Sequence, residues 1–424
     1  MEKLKVILLI LFISAPCFKI YSQSIFTIYD TTNTPLIVNK INCLAREGNI
    51  LWAGSEYGFA SYDGTNWNYY LFNNQTASYL NNIYAITIDA SGNKWIGTAG
   101  GGLGKFDGNN WTVFSTTNSQ LPSNIVKAIT IDSHNNMWIG TTGGLAKWDM
   151  DTSWIIYQQF SSALMSDNIE CITDANNDTI WIGTVNGGFT RVVDTTLTTY
   201  TIQNFSSPDN TILDFVIGLD GSRWMGCAAH GISYFQYNSP PYVQFHPGNS
   251  DMTSYTVNSL AIDTAGKLLC GTFDGGLVRY LGGIYWQVYN YSTIGLPDSS
   301  INDILIDSTG VMWLATTNSG VVRFNEPALY QSVINSEGEL FSLFKIYPNP
   351  TTDYINLNIS SSEINEKFKI EIFDFTGKNI IQDLIYPTGN KSEIRIDLTD
   401  FISGIYLIKI SGAKNIQTGK FVKL

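Results

Sequence analysis

Histidine and cysteine are scarce in this 424-residue chain: His134, His230 and His246 are the only histidines, and there are five cysteines. No Cys-x-x-Cys pair and no Cys/His cluster occurs, which removes the usual zinc arrangements. No Ser/His/Asp or Cys/His set is legible either, so nucleophilic catalysis has no evident machinery and no catalytic residue is assigned. Basic charge is also short, with 24 Lys+Arg against 36 Asp+Glu; between Ser24 and Phe344 the count is 11 against 26. An acidic body excludes nucleic acid and anionic lipid surfaces, because both require a cationic face. Long apolar runs are missing except for Val6 to Ala15, which is too short to span a bilayer. With Lys3 and Lys5 before it and Tyr21-Ser22-Gln23 after it, that run reads as a secretory signal over residues 1–22. Cys17 leaves with the signal. Cys43, Cys171, Cys227 and Cys270 remain, at unmatched repeat positions, and are expected as buried free thiols.

Glycine, tryptophan and asparagine recur in register. Asn93-Lys94-Trp95-Ile96-Gly97-Thr98 returns as Asn136-Met137-Trp138-Ile139-Gly140-Thr141 and as Trp181-Ile182-Gly183-Thr184. Degenerate copies begin at Trp52, Trp224, Leu269 and Trp313, so the steps are 43, 43, 43, 43, 45 and 44 residues. A period near 43 fits a four-stranded propeller blade. In the second copy, Ile83 to Asp89 reads as the innermost strand and Asp89-Ala90-Ser91-Gly92-Asn93 as a hairpin turn. Lys94 to Ala99, Leu103 to Asp107 and Trp111 to Phe114 supply the remaining strands. The indole should fill the wedge between adjoining blades, with the following glycine allowing close approach beside that ring.

The seventh copy supplies three strands and no aromatic-x-x-aromatic outer strand. Phe26-Thr27-Ile28-Tyr29, followed by Thr31-Thr32-Asn33, aligns with Trp111-Thr112-Val113-Phe114 followed by Thr116-Thr117-Asn118. The expected fold is therefore all-β: a seven-bladed β-propeller over residues 23–326, closed by an N-terminal strand so that no edge is left open. A linker covers residues 327–343. Residues 344–424 follow as a small β-sandwich of seven or so short strands.

The apolar strand, Asp-x-x-Gly-Asn, Trp-Ile-Gly-Thr and Gly-Gly-Leu elements together resemble the two-component-regulator propeller family. That family often forms the extracytoplasmic sensing half of hybrid histidine kinases, although no kinase or regulator segment follows here. The C-terminal module resembles the type A sorting domain of the type IX secretion system. The matching positions are Tyr347-Pro348-Asn349-Pro350, Gly377 within Phe375-Thr376-Gly377-Lys378, Gly404 and Tyr406 within Gly404-Ile405-Tyr406, and Lys420 in the terminal segment. This resemblance implies a Bacteroidota-type host, passage through the periplasm and across the outer membrane with that machinery as partner, removal of the module, and surface attachment or release.

The Asp-containing turns lack the alternate oxygen ligands that calcium requires and read as turns. The expected ligand face carries the inter-blade loops and the facing turns around the channel mouth. Asn82, Asn124, Asn168 and Asn210 stand just before innermost strands, where asparagine also caps loop backbone. Glu56, Tyr57, Asn186, His230, Asp274 and Asn318 occupy or flank the facing turns. Streptogramin lyase, a seven-bladed propeller with similar repeats, keeps an enzymatic alternative open, as a metal-dependent lyase or hydrolase. The repeat absorbs all eleven tryptophans, which leaves no spare one as a sugar platform. The expected function is an exported, monomeric binding module for a glycan, peptide or protein. No cofactor or metal is expected; a purely structural surface role is the third reading.

Overall fold

The computed structural model describes residues 25–72, 78–175, 178–202, 209–236, 243–282, 285–326, 344–347, 351–360, 368–374, 379–385, 391–402, 404–411 and 416–423. The signal segment 1–22 and the linker 327–343 lie outside them. The chain divides into two compact units, Ser24–Glu326 and one holding the residues from Pro327 onward. No described helix is long and apolar enough to cross a membrane.

The first unit consists of seven four-stranded antiparallel sheets, an all-β arrangement consistent with a propeller. Numbered 1 to 7, the sheets begin with Ile41–Glu47, Ile83–Ile88, Val126–Ile131, Ile169–Asp174, Ile212–Ile217, Val257–Ile262 and Ile301–Ile306. Sheet 7 adds Met312–Thr316 and Val321–Phe324, then takes its fourth strand from Phe26–Tyr29. Phe26 stands opposite Phe324, and Tyr29 opposite Val321.

Local chemistry explains each hairpin. In sheet 2 the Asp89 Oδ1 accepts the Ser91 and Asn93 N–H groups, both at 2.9 Å, and Gly92 takes φ 79°. The Asp89 Oδ2 accepts the Trp95 indole N–H at 2.9 Å. Asp132 does the same for Trp138 at 2.9 Å and Asp307 for Trp313 at 3.2 Å. Burial opposes the charge on these three carboxyls, but the hydrogen bonds outweigh it and hold them below the usual range. Their oxygens serve the turn and the indole. The turns are thus closed by the chain itself.

The indoles do fill the wedges. Trp95 packs with Val126, Ile129 and Met137 of sheet 3, and Trp181 with Ile212, Phe215 and Met225 of sheet 5. The glycine two residues after Trp95 allows the close backbone approach expected of it, and the backbone that approaches belongs to the next sheet. A Cβ on Gly97 would lie 2.8 Å from the carbonyl and Cγ1 of Val126, the first residue of the next sheet. It makes room for the neighbouring strand, whose Val126 packs with Trp95.

The first strands pack side by side in order, and that of sheet 7 packs against that of sheet 1. A side chain from each first strand bonds the backbone of the next. Asn42 Nδ2 donates to the Ile83 carbonyl at 2.8 Å, Thr87 Oγ1 to Ile129 at 2.7 Å and Thr130 Oγ1 to Ile172 at 3.2 Å. Thr173 Oγ1 donates to the Phe215 carbonyl, and Asp214 Oδ2 accepts the Leu260 N–H at 2.7 Å. Asn258 Nδ2 reaches the Ile301 carbonyl at 3.1 Å and Asn302 Nδ2 the Ile41 carbonyl at 2.8 Å. Asp303 Oδ2 accepts the Leu44 N–H at 2.7 Å. Each first strand is the edge of its sheet, and these bonds satisfy edge groups that would otherwise be open.

The exit from sheet 7 is fastened as well. Glu326 accepts Arg279 Nη1 at 2.7 Å and the Tyr289 hydroxyl, while Arg279 Nη2 lies 3.4 Å from Asp263. These groups are largely buried, so removing one charge leaves the others uncompensated. Glu326→Gln is expected to lower stability by about 2 kcal/mol in urea melts; an unchanged midpoint would show that the contact is incidental.

In the second unit, Phe344–Tyr347, Tyr354–Ser360 and Lys391–Asp397 form one sheet. Asn379–Ile385, Phe368–Phe373, Gly404–Ser411 and Ile416–Lys423 form another. Ile355 and Leu357 from the first share a core with Ile370, Ile372, Ile408, Ile410 and Phe421 from the second. Tyr347 ends the first strand, Gly404 opens another, and Lys420 pairs with Leu407. Tyr406 is buried, stacks on Phe421 at 5.4 Å and donates its hydroxyl to the Ile402 carbonyl at 2.8 Å. Pro348, Asn349, Pro350 and Gly377 lie outside the described residues.

Candidate functional site

All seven first strands carry a register irregularity one residue in, between Ile41 and Cys43, Ile83 and Ala85, Val126 and Ala128, and likewise around the unit. A bulge of this kind leaves one residue out of the ladder and re-aims its side chain. The residues so released are Asn42, Tyr84, Lys127, Glu170, Leu213, Asn258 and Asn302. All seven line a single cavity of about 510 Å³, rimmed by Lys40, Phe273 and Thr317. An adjoining cavity of about 270 Å³ shares the seven and adds the residues after them, among them Cys43, Cys171, Asp214, Ser259 and Asp303.

The ring's charges are internally paired. Lys127 Nζ lies 2.5 Å from Glu170 and Lys40 Nζ 2.6 Å from Glu56. The amide nitrogens of Asn42, Asn258 and Asn302 are committed to the carbonyls of the neighbouring first strands, and Asn42 also donates to Asn82 Oδ1 at 3.0 Å. Asn302 Oδ1 accepts the Thr317 hydroxyl at 3.2 Å. Past the ring, burial pushes the Asp214 carboxyl up to about 7, against the Leu260 N–H and with the Asp303 charge adding to it. Burial likewise pushes Asp303 up to about 6, against N–H donors at Leu44 and Ile304 and the Ser259 hydroxyl. The four cysteines of this unit are buried and free, and burial raises every thiol pKa, Cys227 to about 12. They are poor nucleophiles.

Four of the expected site residues adjoin this ring. Glu56 neutralises Lys40, and Asn82 receives Asn42. Asp274 and Asn318 each follow a rim residue, Phe273 and Thr317. The Tyr57 N–H donates to Ser55 Oγ at 3.1 Å, within the turn. The four asparagines occupy two registers: Asn124 and Asn210 stand two residues before their strands, Asn82 and Asn168 one before. At the earlier position Asn124 Oδ1 accepts the Thr116 N–H at 2.9 Å and Asn210 Oδ1 the Ile202 N–H at 3.0 Å. Asn39 and Asn81 cap Thr31 and Phe72 in the same way. The Asn168 carbonyl accepts the Val185 N–H at 2.9 Å. Asn186 has φ 62° and donates its N–H to Thr211 Oγ1 at 3.1 Å.

His230 is half exposed and its Nδ1 lies 3.2 Å from Asp209 Oδ2, which also accepts the Ala229 N–H at 2.8 Å. Sequence reasoning misses Asp209, because the recurring residue at that boundary is Asn210 beside it. His134 sits in an exposed turn 3.2 Å from Asp178. His246 Nδ1 accepts the Gly248 N–H at 3.0 Å, and its ring stacks on Tyr255 at 5.5 Å. No group of three or more His, Cys, Asp or Glu side chains suited to a metal ion occurs among the described residues.

Sequence reasoning also misses the seven ring residues, because a bulge leaves no pattern inside one repeat. The available signal is a comparison down the column after the first strand residue. There Asn, Tyr, Lys, Glu, Leu, Asn and Asn each follow a constant Ile or Val.

Comparison with known proteins follows the same division. The two-component regulator propeller model matches residues 120–143 and 295–318, and the secretion system C-terminal sorting domain model matches 345–424. No curated protein matches. Among solved structures, the extracellular domain of the putative hybrid two-component system BT3049 from B. thetaiotaomicron is 17% identical with a TM-score of 0.62. The alignment covers 94% of this chain and 57% of that one. The extracellular domain of BT4673 from the same organism is 17% identical with a TM-score of 0.59, covering 93% and 51%. PorZ of Porphyromonas gingivalis, described as an essential bacterial surface component of the type IX secretion system, is 16% identical with a TM-score of 0.57, covering 92% and 61%. The chain thus spans between half and two thirds of these relatives' lengths, and at such identities the likeness is one of fold. Export to the cell surface or extracellular space is supported by the sorting domain and these extracellular relatives. The chain carries two-component-regulator propeller repeats and ends in a type IX secretion sorting domain.

Proposed function

We propose that this chain is a binding module, delivered by the type IX secretion machinery, whose ligand enters the cavity ringed by the seven bulge residues. In this reading the seven sheets are the blades of a closed propeller spanning residues 23–326. Residues 1–22 are its export signal, 327–343 its linker, and 344–424 a two-sheet sorting module. The loops and turns bearing Glu56, Tyr57, Asn82, Asn124, Asn168, Asn186, Asn210, His230, Asp274 and Asn318 form the wider rim that a glycan, peptide or protein ligand would touch. The observation that carries the proposal is the bulge itself. Seven strands each spend a ladder position to aim a side chain into one cavity, and five residue types share the seven positions. Asn42, Asn258 and Asn302 also tie neighbouring strands, whereas Tyr84 and Leu213 make no such bond among the described residues and support a ligand-facing purpose.

A metal-dependent lyase or hydrolase is the second reading, and it rests on the His230–Asp209 pair, which orients the ring with Nδ1 toward the carboxylate. One experiment separates the two. The full chain is screened by thermal shift against glycan and peptide panels, with turnover followed in parallel for wild type and His230→Ala. Reproducible stabilisation by one ligand class without turnover supports binding; turnover lost in His230→Ala moves the assignment to the enzyme. A blank screen would leave the structural role.

A further inference from the structure

The class of ligand depends on the ring being the binding site, and the chemistry of the ring narrows that class. We propose that it selects a compact, uncharged, hydroxyl-bearing ligand, a neutral oligosaccharide end, and rejects both extended peptides and acidic glycans.

Three observations carry this. First, the ring offers no net charge to a ligand, since Lys127 is held by Glu170 at 2.5 Å and Lys40 by Glu56 at 2.6 Å. An anionic ligand would have to break an ion pair and desolvate the carboxylate left behind. Second, the amides are oriented by the architecture. Asn42 spends both Nδ2 hydrogens, on the Ile83 carbonyl and Asn82 Oδ1, and keeps its amide oxygen for a ligand; Asn258 spends one on the Ile301 carbonyl and keeps its oxygen with one N–H. An acceptor-rich ring calls for a ligand bringing O–H donors. Phe273, 59% exposed on the rim, adds a flat apolar face, and Leu213 adds apolar wall. A sugar ring combines outward hydroxyls with an apolar C–H face and fits both. Third, a peptide entering as an added strand needs an open edge. The edges that face this cavity are occupied at every sheet boundary by the side-chain bonds from one first strand to the next. Strand addition has nowhere to begin.

The test uses isothermal titration of the full chain with three probes: a neutral hexasaccharide panel of α- and β-linked glucose, xylose and mannose, an oligogalacturonate, and a random heptapeptide pool. Wild type should bind within the neutral panel alone. Phe273→Ala, at an exposed position, should weaken that binding about tenfold. Glu170→Gln should free the Lys127 charge and confer measurable oligogalacturonate binding absent from wild type. A wild type that binds oligogalacturonate or peptide, with binding weakened by Phe273→Ala, overturns the ligand class while keeping the ring as the site. Neutral binding that neither variant alters overturns the ring itself. Silence across the neutral panel also overturns the class.

Discussion

Removal of residues 24–30 is expected to lower the melting temperature of the chain's first unit by more than about 10 °C, taking roughly 2 °C per kcal/mol. The strand Phe26–Tyr29 supplies the whole outer edge of sheet 7, so its loss leaves Val321–Phe324 with unpaired N–H and C=O groups. The side chains matter as much as the ladder. The Tyr29 ring lies 5.1 Å from Tyr62, 5.3 Å from Trp67 and 6.0 Å from Trp313, so it touches sheet 1 as well as sheet 7. The Phe26 ring lies 5.0 Å from Phe324. Truncating one fully buried aromatic costs about 3–5 kcal/mol; Phe26 and Tyr29 are half-buried and each contributes less, but this deletion removes both together with four ladder positions. Differential scanning calorimetry of full-length and truncated chains measures it. A melt within about 2 °C of the full chain would mean that the strand is ornamental and that sheet 7 is held by its other three strands and their neighbours alone. Addition in trans of a peptide spanning residues 24–30 should restore part of the loss.

The second large effect is a dependence on pH that resides in two side chains. Asp214 and Asp303 are buried, and each holds its proton more tightly in the folded chain than in the unfolded one. Their contribution to stability is therefore complete below the ordinary carboxyl range near pH 4. It is lost as the pH rises through about 6 for Asp303 and about 7 for Asp214. At about 1.4 kcal/mol per pKa unit, the loss is on the order of 3 kcal/mol for Asp303 and 4 kcal/mol for Asp214, shared through a coupled titration. Exposed turn carboxyls such as Asp63 and Asp107 are shifted the other way, so the diagnostic quantity is a difference between variants. The melting temperature of Asp214→Asn/Asp303→Asn relative to wild type should climb between pH 4.5 and 8. Asparagine keeps an oxygen for the Leu260 and Leu44 N–H groups and carries no charge. Parallel curves for the two proteins would rule the explanation out.

The repeat is legible in the sequence because its constraints are local. Asp89, Gly92 and Trp95 fix one hairpin by themselves, and the same spacing recurs at Asp132 and Trp138. The missing outer strand of the seventh copy can be located at Phe26–Tyr29 for the same reason: a strand signature survives displacement along the chain. Close approach at the glycines is legible, but the strand that approaches is not. Gly97 answers to Val126, a residue of another sheet, and nothing within its own hairpin records that contact. The ring escapes notice on similar grounds. Tyr84 and Lys127 look like ordinary polar or aromatic interruptions of an apolar strand until the bulge turns them into the cavity. His230 stands out as a departure from the repeat, yet its partner Asp209 lies 21 residues away and becomes visible only in three dimensions.

The side-chain-to-backbone bonds between first strands all run one way, from the side chain of one sheet to the backbone of the next, including from Asn302 of sheet 7 to Ile41 of sheet 1. Each repeat therefore carries the plug for its successor and the socket for its predecessor. Because the socket is backbone, it is present whatever the sequence. Tandem duplication of a repeat would keep the backbone socket at the new junction, and only the apolar packing around the indoles would have to be matched there. The chain can also be cut at another sheet boundary and rejoined through its old ends with every junction intact. Where the plug is a carboxylate, as at Asp214 and Asp303, the exchange is less free, because that junction must also shelter a proton. The amide and hydroxyl junctions are the interchangeable parts of this molecule, and the two acid junctions are where its repeats have become individual.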